Sequence, residues 1–221
     1  MKNLDWGSFF TNILAVVLGI FITFGIQGLI DSKAEKKDVM SAIELVKEEL
    51  TANMNDLQGV LGIIDLEKSA AVSLHDNLGK LNQCDPDSIR VWNTILGSKY
   101  FFTVTDDALE LLKSSSLFQK INDKNLALGI IKAYDYLGAN AQAFNTHEQY
   151  KITLYEDANN EKARKAALES SGTDFLKRFY SSAEADYFLK SVIEMSSDSS
   201  FLILGIPEIE ATIADIEARL K

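Results

Sequence analysis

The stretch Ser8–Ile30, SFFTNILAVVLGIFITFGIQGLI, decides how this chain is read. It holds no charged residue, and a small or polar side chain returns at every fourth position: Thr11, Ala15, Gly19, Thr23 and Gln27. As a helix rising roughly 1.5 Å per residue, Phe9 to Ile30 would span about 33 Å, slightly more than the hydrocarbon core of a bilayer. A secretory signal has an apolar region of only about 7–15 residues behind a basic start. Here the start offers Lys2 opposed by Asp5. Ser32-Lys33-Ala34 resembles a cleavage site, but the length of the run favours a retained transmembrane helix, with Trp6 as an interfacial anchor.

Lipid tails give helices no hydrophobic push toward one another. They associate instead by close packing at small residues and by hydrogen bonds from Thr or Gln. The stripe Thr11, Ala15, Gly19, Thr23, Gln27 therefore reads as a helix–helix packing surface, with Ala15 and Gly19 as its small-xxx-small pair. The plainer alternative is a lone anchor that merely tolerates small residues.

Beyond Ile30 the pattern turns amphipathic without a break, so residues 1–31 form a short tail and membrane helix, and residues 32–221 a second unit. Val39, Ile43, Val46, Leu50, Met54, Leu57, Leu61 and Ile64 follow helical steps of three and four. With no proline before Pro86, the membrane helix is expected to continue to about Leu81, with Gly59 and Gly62 allowing a bend. The stripe suits core packing within the chain, and secondarily a coiled coil between subunits.

Asp85-Pro86 marks a helix start. Ser98–Thr105, SKYFFTVT, reads as a loop whose Tyr100, Phe101 and Phe102 plug the bundle. Further helices are predicted from Asp106 or Asp107 to Lys113, from Asp123 to Tyr155, over 173–179 and 183–195, and from Pro207 onward. The expected fold is all-α: an N-terminal transmembrane helix running into a long amphipathic helix, packed in an antiparallel helical bundle.

The net charge is −10, and because Lys2 and Asp5 cancel, all of it lies beyond Ile30. Such a surface repels phosphate backbones, which argues against nucleic-acid partners. Cys84 stands alone, so neither an intramolecular disulfide nor a thiolate metal cluster is available.

Catalytic groups are scarce. His75 and His147 lack a carboxylate three residues upstream, so the Glu-x-x-His signature of bundle metal sites is missing. Their acidic neighbours, Asp76 and Glu148, are adjacent and point in other directions on a helix. Both histidines are expected at the solvated surface. The pairs Asp85/Asp87 and Asp106/Asp107 fall at helix starts, where capping accounts for them. No phosphate loop or nucleophile elbow is present, and Ser114–Ser116 is a serine run without a motif. No catalytic, cofactor or metal residues are therefore expected. The dense aromatic residues between Tyr134 and Phe188 read as core, with a ligand pocket between helices as the alternative.

Ala108-Leu109-Glu110-Leu111-Leu112-Lys113-Ser114-Ser115-Ser116-Leu117, then Ile121-Asn122-Asp123 with Leu126, Ile130 and Tyr134, resembles an uncharacterised bacterial family of single-pass inner-membrane proteins carrying a helical domain of unknown function. Gln27, the Lys33–Leu50 region and Glu208–Leu220 fit its outer parts. Ser116 stands where that family usually has Gly, and the family's basic N-terminal tail is missing here. The resemblance implies a domain outside the cytoplasm. The flanking lysines Lys33, Lys36 and Lys37 outweigh Lys2 and point the other way. The side of the membrane stays open, with the periplasmic side preferred.

The expected function is a non-enzymatic, membrane-anchored interaction protein, a subunit of a homo-oligomer or partner of another membrane protein. A ligand-binding sensory bundle signalling through a partner, and a pore-forming component, are the alternatives.

Overall fold

The computed structural model describes residues 6–160, 165, 173–197 and 202–221, and over residues 6–32 it describes the backbone alone. The described residues form helices and loops with no strand, so the chain is all-α as its composition implies. Helix α1 runs from Trp6 to Asp76, uninterrupted through Gly59 and Gly62. A 3₁₀ turn at Leu78–Gln83, absent from the sequence reading, ends it sooner than expected. Then follow α2 (Pro86–Gly97), α3 (Asp107–Ser114), a 3₁₀ turn at Phe118–Lys120 and α4 (Lys124–Ala158). The chain closes with α5 (Thr173–Tyr180), α6 (Ala183–Met195) and α7 (Ile206–Leu220). Among the described residues no helix is long and apolar enough to cross a membrane. The side chains of the expected span, Thr11, Ala15, Gly19, Thr23 and Gln27 included, lie outside the described residues.

Local chemistry sets most of these boundaries. Asp85 accepts from the Ser88 amide at 3.1 Å ahead of Pro86, and Asp123 accepts from the Asn125 and Leu126 amides at 2.8 and 3.3 Å. Asp106 occupies the N-cap position of α3 but makes no side-chain capping bond. Glu49, reaching over from α1, accepts from the Ala108 amide at 3.0 Å instead. A first-turn donor of α3 is thus satisfied by another helix, which pins α3 to α1.

Helices α1 and α4 run parallel, a departure from the expected antiparallel bundle. Tyr134 donates to Glu49 and Lys151 donates to Glu67, pairs separated by 85 and 84 positions. Equal separations along both helices are what parallel neighbours in register require. The parallel arrangement arises because α2, the segment 98–106 and α3 carry the chain back along α1 before α4 begins. Helix α7 lies antiparallel to α4: Arg219 donates to Asp123 at 2.8 Å, and Asn140 donates to the Leu204 carbonyl at 3.0 Å.

The apolar stripe of α1 is buried inside its own chain, which favours core packing over the coiled-coil alternative. Val46, Leu50 and Leu57 have no exposed surface, and burying each contributes about 1.5–3 kcal/mol. Leu61 is only half-buried, and Val60 takes its place in the core. Two apolar cores result. The first joins Val39–Ile64 of α1 to α3, the first half of α4, and α7. The second joins Ala70, Ala71 and Leu74 to Leu96, Phe179, Tyr180, Phe188 and Val192.

Candidate functional site

Between the two cores lies a buried polar layer. On α1 the first core ends at Ile64 and the second begins at Ala70; Glu67 sits between them with no exposed surface. On α4, Phe144 closes the first core and Leu154 packs on the second. His147, Glu148 and Lys151 fill that interval, and all are buried.

Lys151 is the hub. Its Nζ donates to Glu67 Oε1, to Glu148 Oε2 at 2.9 Å and to the Ser98 carbonyl at 2.8 Å. All three ammonium donors are thereby used. Nζ also stands 5.4 Å from the centre of the Tyr100 ring. Glu148 Oε2 accepts a further bond from the Tyr100 amide at 2.9 Å. His147 Nε2 lies 3.7 Å from Glu67 Oε2. Burial pushes the Glu148 carboxyl above its ordinary range and the Glu67 charge adds to the rise; bonds from Lys151 and Tyr100 oppose it.

The segment between α2 and α3 closes the layer from one side, and side chains of α1 and α4 hold it in place. Asn145 accepts from the Phe102 amide at 3.0 Å and donates to the Phe102 carbonyl at 2.8 Å. Asn53 treats Thr105 the same way, at 2.9 and 2.7 Å. Each side-chain amide imitates a neighbouring strand, satisfying backbone groups that would otherwise lack partners. Phe102 is buried as expected, but Phe101 is 69% exposed and takes no part in plugging the bundle. Lys99 lies over the Phe101 ring at 4.9 Å.

His147 is a correction to the sequence reading, which placed both histidines at the solvated surface. Helix α4 packs against α1, α2, α6 and α7, so adjacent residues on it are covered by different neighbours. His75 is half-exposed, with Nε2 3.5 Å from Asp186 and Nδ1 3.6 Å from Asp76. Asp85 caps α2, and Asp87 pairs with Arg90. Ser114 and Ser115 bond back to the carbonyls of Leu111 and Leu112.

The aromatic residues of the second half mostly form core, as expected. Tyr155 meets Phe179 and Phe188 edge-on at 5.8 and 5.5 Å, and the hydroxyls of Tyr155 and Tyr180 both donate to Asn93 Oδ1, at 3.1 and 3.0 Å. Tyr150 and Tyr187 are exposed. A shallow groove of about 610 Å³, lined in part by Gln142, Thr146, His147, Tyr150 and Met195, opens to solvent and reaches the polar layer at His147.

The layer left a trace in the sequence. Glu67 stands on the apolar stripe of α1, three residues after Ile64 and seven before Leu74, and Lys151 stands seven residues after Phe144. A charged residue in an apolar register is the signal that pairwise motif rules overlook. Comparisons with protein-family models, with curated proteins and with solved structures return no match.

Proposed function

We propose that this chain is a non-enzymatic, membrane-anchored interaction protein of a bacterial inner membrane, one subunit of a homo- or hetero-oligomeric assembly. Residues 9–30 cross the bilayer in this reading, and Thr11, Ala15, Gly19, Thr23 and Gln27 pack against a partner helix. The supporting observation is the unbroken helix from Trp6 to Asp76. One rod carries the apolar run directly into both cores, so the bundle is mounted on the anchor without a hinge loop. The resemblance of residues 108–134 to single-pass inner-membrane proteins favours a periplasmic domain.

Carbonate extraction of native membranes tests the anchor, and protease added to spheroplasts tests the side. Retention in the washed pellet with digestion of the domain supports the reading. Release into the supernatant contradicts it.

The polar layer favours a second reading, a sensory bundle that passes a signal to a partner. Glu67 belongs to the same rod as the proposed membrane span, so a change in the layer acts on α1 directly. A screen of metabolites for thermal stabilisation of the full chain in detergent tests it, and a uniformly negative screen removes it.

A further inference from the structure

Glu67 and Glu148 are fully buried, and Glu67 Oε2 and Glu148 Oε1 accept no hydrogen bond. The other oxygen of each is held by Lys151 Nζ, so one ammonium fixes how both carboxylates point. One donor atom from each of Glu67, His147 and Glu148 lies within 4.8 Å of the other two. Two carboxylates gathered on one ammonium, each with an oxygen left over, form a buried acidic pocket whose charge a bound cation would balance.

We propose that Glu67, His147 and Glu148 bind one divalent transition-metal ion, zinc or manganese, between α1 and α4. One imidazole nitrogen with two carboxylate oxygens suits these ions, whereas calcium takes six to eight oxygens. Around a tetrahedral ion with bonds near 2.0–2.2 Å the donors stand about 3.4 Å apart, so modest side-chain rotation closes the set. Lys151 is the outer partner that orients both carboxylate ligands. Three protein donors leave a fourth position for water, and the groove at His147 is the route by which the ion enters. The site stands apart from the anchoring of residues 9–30 and is tested without reference to it.

The test uses the full chain in detergent, stripped with chelator and titrated with zinc chloride or manganese chloride, with calcium chloride as control. Calorimetry is expected to show one equivalent of zinc or manganese and no calcium. Glu67→Gln and Glu148→Gln, checked for helicity by circular dichroism, are each expected to weaken binding at least tenfold.

A second readout does not depend on those variants folding. The chain has two histidines, His75 and His147, and ¹⁵N imidazole NMR of the wild type separates them once His75→Gln identifies one. One equivalent of zinc is expected to shift the His147 ring nitrogens and leave those of His75 in place. Absence of binding, a shift confined to His75, or undiminished affinity in the folded variants would overturn the proposal.

Discussion

Glu67 of α1 and Lys151 of α4 meet in the plane between the two apolar cores, both without solvent exposure, and their bond sets the register of two parallel helices. Such a pair gains little over a well-packed apolar replacement, but breaking it leaves buried charge uncompensated. Lys151→Met is therefore expected to cost about 3–5 kcal/mol, because it strands two carboxylates. The triple change Glu67→Gln, Glu148→Gln, Lys151→Met is expected to recover most of that loss. Urea denaturation of the wild type and these two variants measures both, and a Lys151→Met cost under about 1 kcal/mol would remove the hub role.

The pH dependence of stability follows from Glu148. Its folded pKa is raised above the unfolded value, chiefly by burial. An unfolded glutamate loses its proton near about pH 4.3, while the folded chain still holds it. Between that point and the raised folded value the native state binds more protons, so stability declines as pH rises through the window. Denaturant midpoints measured across the window should show the decline in the wild type and a flatter profile in Glu148→Gln.

Two turn positions predict changes of opposite sign. Ser116 adopts φ 63°, a left-handed conformation that side chains resist. Ser116→Gly is expected to raise stability by about 0.5–1 kcal/mol. Gly205 has φ 70°, and a Cβ there would stand 2.2 Å from Tyr136 Cγ. Gly205→Ala is expected to cost on the order of 3 kcal/mol, combining backbone strain with overpacking. Thermal melts of the two variants check both signs.

The clamp on the segment 98–106 predicts a local effect. Asn145→Ala leaves the amide and carbonyl of buried Phe102 without their partner, at about 1–3 kcal/mol. Hydrogen exchange at the Phe102 amide should accelerate. Gln149→Ala, which removes only exposed contacts with Lys99 and Thr153, should stay within about 0.5 kcal/mol of wild type.

The helical order was legible because it is local. The three- and four-residue steps from Val39 to Ile64, Asp85 before Pro86, and Asp123 at the start of α4 are all written within a few residues. The direction of α4 was not legible, since it depends on how far α2, the segment 98–106 and α3 retrace α1. Nor was the polar layer: its partners lie 84 positions apart on two helices, and burial of both His147 and Glu148 needs a helix covered on several sides. Glu67 within an apolar stripe was the visible clue, and only tertiary packing gives it a partner.

Cysteine cross-linking in native membranes tests the proposed assembly through residues 9–30 most directly. In a Cys84→Ser background, single changes Thr11→Cys, Ala15→Cys, Gly19→Cys, Thr23→Cys and Gln27→Cys sample the stripe, and Ile13→Cys, Val17→Cys and Phe21→Cys sample the opposite face. For a homo-oligomer, disulfide-linked dimer is predicted at the stripe positions and not at the others. For a hetero-oligomer, a bifunctional reagent at the stripe alone is predicted to capture one discrete larger adduct. Monomer at every position with both treatments, or equal cross-linking on both faces, would contradict the account.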